Sequence, residues 1–135
     1  LPSEAEWEYG ARGPMASADD LVPFPWDEEP PDCARAMYSV CGQQPADVGT
    51  HRSGDSPFGL ADMAGGVWEL TSDGWHENYV GAPGDGSGWP RREGDVRVPI
   101  RGASWHSLAP ELVTYYRKQW RGDYRASYVG FRCAR

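Results

Sequence analysis

Several kinds of residue and pattern are scarce in this chain, and each scarcity removes a class of chemistry. Cysteine occurs three times, at positions 33, 41 and 133, so nothing between Cys41 and Cys133 can supply a thiolate. Lysine and arginine number 13 against 20 acidic residues, giving a net charge of −7 with no basic run. Nucleic acid and anionic membrane surfaces are therefore not expected partners. No stretch approaches the ~20 apolar residues that cross a bilayer. The three histidines, His51, His76 and His106, are scattered without the H-x-x-x-H spacing of a helical metal site. GxSxG, HExxH, CxxC and P-loop patterns are all missing. Neither a starting methionine nor a signal-peptide pattern is present.

Aromatics and turn formers are abundant instead. Seven Trp and seven Tyr accompany 17 Gly and 12 Pro in 135 residues. That mixture predicts one loop-rich domain pinned by large rings rather than a regular bundle. Ser3-Glu4-Ala5-Glu6 reads as a capping box, and with Gly13 it brackets a helix over 4–12. Trp7 and Ala11 would share one face, with Glu8 and Arg12 paired at i,i+4. Pro14, Pro23, Pro25, Pro30, Pro31 and Pro45 forbid a long helix in 14–57. Within that irregular stretch Asp27-Glu28-Glu29 reads as a solvated acidic loop. Cys33 and Cys41 pair if their loop folds back, or remain free thiols in a reducing compartment.

The most informative stretch is Ser56–Asp73. Turn residues lead to Asp62, then Gly65-Gly66, which predicts positive φ or a close backbone approach. Val67–Thr71 alternates as a half-buried strand. The Asp62 and Glu69 carboxylates with the Gly65 and Val67 carbonyls are a chemically sensible donor set for a hard cation such as Ca²⁺. On the plainer reading Asp62 caps a turn and Glu69 sits on the wet face of a strand. Residues 74–95 form a polar, glycine-rich surface loop, and His76 within it lacks a second ligand. Val96–Arg101 is expected as a strand, Leu112–Lys118 as another, and Val129–Ala134 as the closing one.

Trp105, His106, Tyr115, Tyr116, Lys118, Trp120, Arg121, Tyr124, Arg125 and Tyr128 make a dense aromatic and basic set. Such residues dominate binding hot spots, and they also fill cores of small loop-rich domains. Trp105 and Tyr115 are expected inside. Ser107 beside His106 is not read as a nucleophile–base pair, since neighbours on a strand face opposite ways.

DMAGGVWEL at 62–70 resembles a signature of the formylglycine-generating enzyme (sulfatase-modifying factor) family. LPSEAEWEYGARG, FPWDEEPPDC, RGASW and VGFRCAR follow that family's blocks in the same order. The resemblance implies a C-type-lectin-like α+β fold, loop-rich, with short antiparallel strands and few helices. It implies a structural Ca²⁺ at Asp62, Gly65, Val67 and Glu69, and loss of a second calcium site where Met37 stands. Leu1 falls inside one of the family's motifs, so residues 1–135 are expected to be the C-terminal part of a single domain whose beginning lies upstream. Cys133 matches a position that some members bridge to an upstream cysteine. Oxidases of this family hold Cu(I) with two cysteines at positions that match Ser107 and Leu112. Cu(I) prefers thiolates, so no copper is expected here. Iron enzymes of the ergothioneine-synthase type keep their histidines largely in a separate N-terminal domain.

The C-terminal region is also similar to the variable region of retroelement-diversified proteins, with positions 106–108, 118–120 and 126–128 where ligand contacts cluster. The expected function is a non-catalytic module binding a protein or small-molecule ligand through Trp105, His106, Ser107, Tyr116, Lys118, Trp120, Tyr124 and Tyr128, on a scaffold supported by Ca²⁺. The alternative is a metal-dependent oxidase or non-heme iron tailoring enzyme whose catalytic ligands lie outside this chain.

Overall fold

The computed structural model describes residues 1–14 and 21–134. Helix α1, Glu4–Arg12, starts where the capping box placed it: Ser3 Oγ accepts from the Glu6 amide (3.0 Å) and Glu6 returns a bond to the Ser3 amide (2.8 Å). Gly13, at φ 78°, ends it, its N–H donating to the Tyr9 carbonyl. Trp7 and Ala11 turn inward and pack with Met63.

Strands β1 (Trp68–Leu70), β2 (Arg97–Arg101), β3 (Lys118–Arg121) and β4 (Val129–Gly130) form one sheet in the order β3-β2-β1-β4. The β1–β2 and β2–β3 pairs are antiparallel, but β4 joins β1 in parallel, with Trp68 opposite Val129. The sheet is therefore mixed rather than purely antiparallel. Trp68, Ile100 and Leu112 centre the main core with Ala36, Tyr38, Ala64 and Ala103. Short 3₁₀ turns at Arg52–Gly54 and Ala109–Leu112 complete the regular structure among the described residues.

Two expected strands change. Leu112–Lys118 is a strand only at its last residue. Thr114 is anchored to the Pro23 and Val22 carbonyls, while the Thr114 and Tyr115 carbonyls receive the Arg101 guanidinium. The Thr114 N–H, engaged by the Pro23 carbonyl, cannot also donate to a neighbouring strand. Val129–Ala134 shortens to Val129–Gly130, because Arg132 turns away to meet Glu69. Gly65 shows both properties expected of it: its φ is 79°, and a Cβ there would lie 2.3 Å from the Met37 carbonyl oxygen. Cys33 and Cys41 are bridged and Cys133 is free and exposed, which decides between the two cysteine readings. Positions 15–20, part of the irregular stretch, lie outside the described residues.

Candidate ligand-binding face and its neighbouring polar centres

On β3 the two-residue alternation sends Lys118 and Trp120 to the same side, over the β2 partners Ile100 and Val98. Lys118 Nζ lies 5.6 Å from the centre of the Trp68 ring. Around Trp120 a continuous row of rings assembles. Trp105 meets His106 at 5.0 Å, His106 meets Tyr128 at 4.4 Å, Tyr128 meets Trp120 at 5.7 Å and Trp120 meets Tyr124 at 5.6 Å. The tilted and edge-on arrangements are those favoured by ring quadrupoles. The Trp120 indole N–H donates to the Tyr124 carbonyl (3.0 Å), which fixes the loop after β3 against the ring.

Trp120 separates two clefts. A small one of about 100 Å³ is lined by Trp68, Ile100, His106, Ser107, Glu111, Lys118, Trp120 and Tyr128. A wide, open one of about 750 Å³ runs between Arg97, Gln119, Trp120, Arg121, Asp123 and Tyr124. The cations of the wide cleft are already paired. Hydrogen bonding to Arg97 holds Asp95 down at about 2, and Arg121 lowers Asp123 in the same way.

Of the eight residues expected to bind, His106, Ser107, Lys118, Trp120 and Tyr128 meet at the small cleft, and Tyr124 lies on the wide one. Trp105 joins through its ring, and Tyr116 packs half-buried against Trp68 at 5.9 Å. Tyr115 is 45% exposed rather than internal, and Trp105 is half-buried. The argument separating His106 from Ser107 also needs correction. Residues 105–107 form a turn, not a strand, so both side chains reach the same cleft. Ser104 links them, its Oγ lying 2.8 Å from His106 Nδ1 and 3.2 Å from Ser107 Oγ. Glu111, Arg97 and Gln119 were not foreseen at this face. Alternation along β2 and β3 sends Arg97, Gln119 and Arg121 away from Lys118 and Trp120, and Trp120 is the residue that lines both clefts.

The four residues expected at calcium, Asp62, Gly65, Val67 and Glu69, line a single cavity of about 340 Å³ with His51, Phe131 and Arg132. Glu69 is buried at 7% exposure, not on a wet face. Its Oε2 accepts from the Trp7 indole (2.6 Å) and from Arg132 Nε (2.6 Å), and its Oε1 from Arg132 Nη2 (2.6 Å). A carboxylate has about four lone-pair positions, so these donors leave one. Asp62, at φ 56°, accepts from the Gly49 amide at 2.6 Å. Among the described residues no group of three or more His, Cys, Asp or Glu is placed to hold a metal.

On the opposite side of the sheet a buried ionic cluster ties α1 to β2. Arg101, fully buried, is bonded to Glu4 and Glu8. Arg117 forms two hydrogen bonds to Glu4 (2.7 and 2.9 Å), and the Tyr79 hydroxyl donates to Glu4 at 3.0 Å. Burial, followed by the Glu4 charge, pushes the Tyr79 hydroxyl up to about 12.

Comparison with known proteins agrees with this fold. The Sulfatase-modifying factor enzyme 1-like domain matches over residues 1–135. A hercynine oxygenase of Mycolicibacterium smegmatis is 34% identical over 131 residues, covering 89% of this chain and 29% of its own length. The structure of PvdO from Pseudomonas aeruginosa superposes with a TM-score of 0.80 at 34% identity, covering 97% of this chain and 50% of that one. Treponema denticola variable protein 1 gives a TM-score of 0.75 at 26% identity, over 97% of this chain and 45% of its own. The chain thus spans half or less of each of these relatives.

Proposed function

This chain belongs to the sulfatase-modifying factor enzyme 1-like family, and from that premise we propose that it is a non-catalytic binding module on a C-type-lectin-like scaffold. The observation that carries the reading is the ring row from Trp105 to Tyr124, placed around two clefts and left partly open to solvent. Rings held by packing offer contact area at little conformational cost. By the resemblance, Ser107 and Leu112 match the positions of the family oxidases' cysteine pair, and neither side chain is a ligand for Cu(I). The ligand is a small molecule or a protein segment. A screen of aromatic fragments, read by NMR of the tryptophan indole signals, tests this. Hits that shift the Trp120 signal and disappear in Trp120→Ala support it. A face that responds to no fragment, together with turnover and stoichiometric copper or iron in the full-length protein, would overturn it.

Similarity to a hercynine oxygenase favours a second reading, in which this face supplies substrate contacts to an oxygenase whose metal ligands lie outside the chain. Metal analysis separates the two.

A calcium ion, on the same proposal, would be held by the Asp62 and Glu69 carboxylates with the Gly65 and Val67 carbonyls, and would tie the 62–67 loop to β1. The shared cavity and the remaining lone-pair position of Glu69 support this. Arg132 competes for the same carboxylate, so calcium binding is expected to be weak. A Tm that rises with millimolar calcium, and no longer does so in Glu69→Gln, is the expected result; an indifferent Tm removes calcium from the reading.

A further inference from the structure

We propose that the ligand of this face is a small aromatic acid, its carboxylate seated in the cleft beside Lys118 and its ring lying on Trp120. The inference rests on the binding-module reading and deepens it. The small cleft, about 100 Å³, has room for a carboxylate and is much smaller than the wide one, about 750 Å³. The wide cleft on the other side of Trp120 is open enough to take the flat body.

The polar lining selects the charge. Arg97 and Arg121 are committed to Asp95 and Asp123 through hydrogen bonds of 2.7 and 2.8 Å. Lys118 is the less committed cation: its Nζ forms only a long ion pair, 3.8 Å, with Glu111 Oε1, lies 5.6 Å from the Trp68 ring centre, and belongs to a side chain 51% exposed, so it has room for a second anion. Glu111 instead accepts from the Leu108 amide at 2.9 Å through its other oxygen. The serines set the histidine. Ser107 Oγ accepts from the Ser104 amide (3.1 Å) and lies 3.2 Å from Ser104 Oγ, which lies 2.8 Å from His106 Nδ1; on the proposal each hydroxyl donates along this chain toward the imidazole. With Nδ1 accepting, the neutral imidazole carries its proton on Nε2 and is a donor there. An ammonium and an imidazole N–H on one small cleft recognise an oxyanion, and bonds to charged partners are the stronger kind.

Three probes that share one ring separate the possibilities on the full chain: indole-3-acetate, indole-3-acetamide and tryptamine, each titrated by calorimetry with Trp120 followed by NMR. Indole-3-acetate is expected to bind at least about tenfold tighter than the other two. Lys118→Gln, at a half-exposed position, should abolish that preference while the acetamide still binds. Acid and amide binding equally at Trp120 would overturn the head-group assignment and leave the binding-module reading standing. Tighter binding of tryptamine would assign the cleft to Glu111 and overturn it as well. Absence of binding by all three also overturns it, and the binding-module reading then rests on its own fragment screen.

Discussion

The two sides of the sheet solve opposite problems with similar residue types. Between α1 and β2, Arg101, Glu4, Glu8, Arg117 and Tyr79 pair with one another, with Arg101 and Glu4 deeply buried. Across the ring row, Trp120, Tyr124, Tyr128 and Lys118 are only partly covered, and the bonds among them are few. A buried charge is tolerated only when it is paired, so the first side is committed to holding the fold. Partly exposed rings have surface left to give to another molecule. The contrast assigns stability to one region and, on the proposed function, recognition to the other.

The sharpest way to break that contrast is to remove the buried cation. Arg101→Ala leaves Glu4 and Glu8 short of a partner and should cost about 3–5 kcal/mol in denaturant unfolding. A loss below about 1 kcal/mol would show that the cluster is not what holds α1 to the sheet. Reducing or removing the Cys33–Cys41 bridge frees the loop whose Cys41 packs on the main core. A loop this short should contribute about 2 kcal/mol, read from the midpoint shift with and without reductant. Trp7→Phe deletes the indole donor to Glu69 while keeping most of the ring packing, and about 1–3 kcal/mol should be lost.

On the recognition side the expectation reverses. Tyr124 is 61% exposed, so Tyr124→Ala should leave stability within about 0.5 kcal/mol of the parent while weakening binding of any fragment held at Trp120. Equal losses of stability and binding would erase the distinction between the two regions. The smallest effect concerns pH. Tyr79, raised to about 12 against an ordinary 10, keeps its proton more tightly in the folded state. Its contribution is therefore full below pH 10 and is lost as pH rises toward 12. Tyr79→Phe should remove that part of the alkaline slope in thermal melts.

Much of the scaffold was legible from residue order. The capping box set the start of α1, alternation set β1 and most of β2, and the paired glycines marked the approach of Met37. The strand expected over Leu112–Lys118 failed because Arg101, 13 and 14 residues upstream of Thr114 and Tyr115, binds their carbonyls. Glu69 was read either as a calcium ligand or as a wet strand residue, and neither reading could foresee Arg132 and Trp7 closing on it. Of the residues proposed to bind, the chemistry of His106, Ser107, Lys118, Trp120, Tyr124 and Tyr128 was visible in their types; the turn that sends His106 and Ser107 to one cleft was not.

Residue order alone determined where the helix begins and ends, which intervals can ladder, and that no thiolate pair follows β2. Those properties depend on neighbours within a turn or two, where capping, periodicity and composition act. Only the tertiary structure decided which charges pair and which rings meet. Arg101 finds Glu4 across 97 positions and Arg117 finds it across 113. The desolvation cost of burying a charge is met by whichever partner packing delivers, and contacts at such separations leave no local pattern to read.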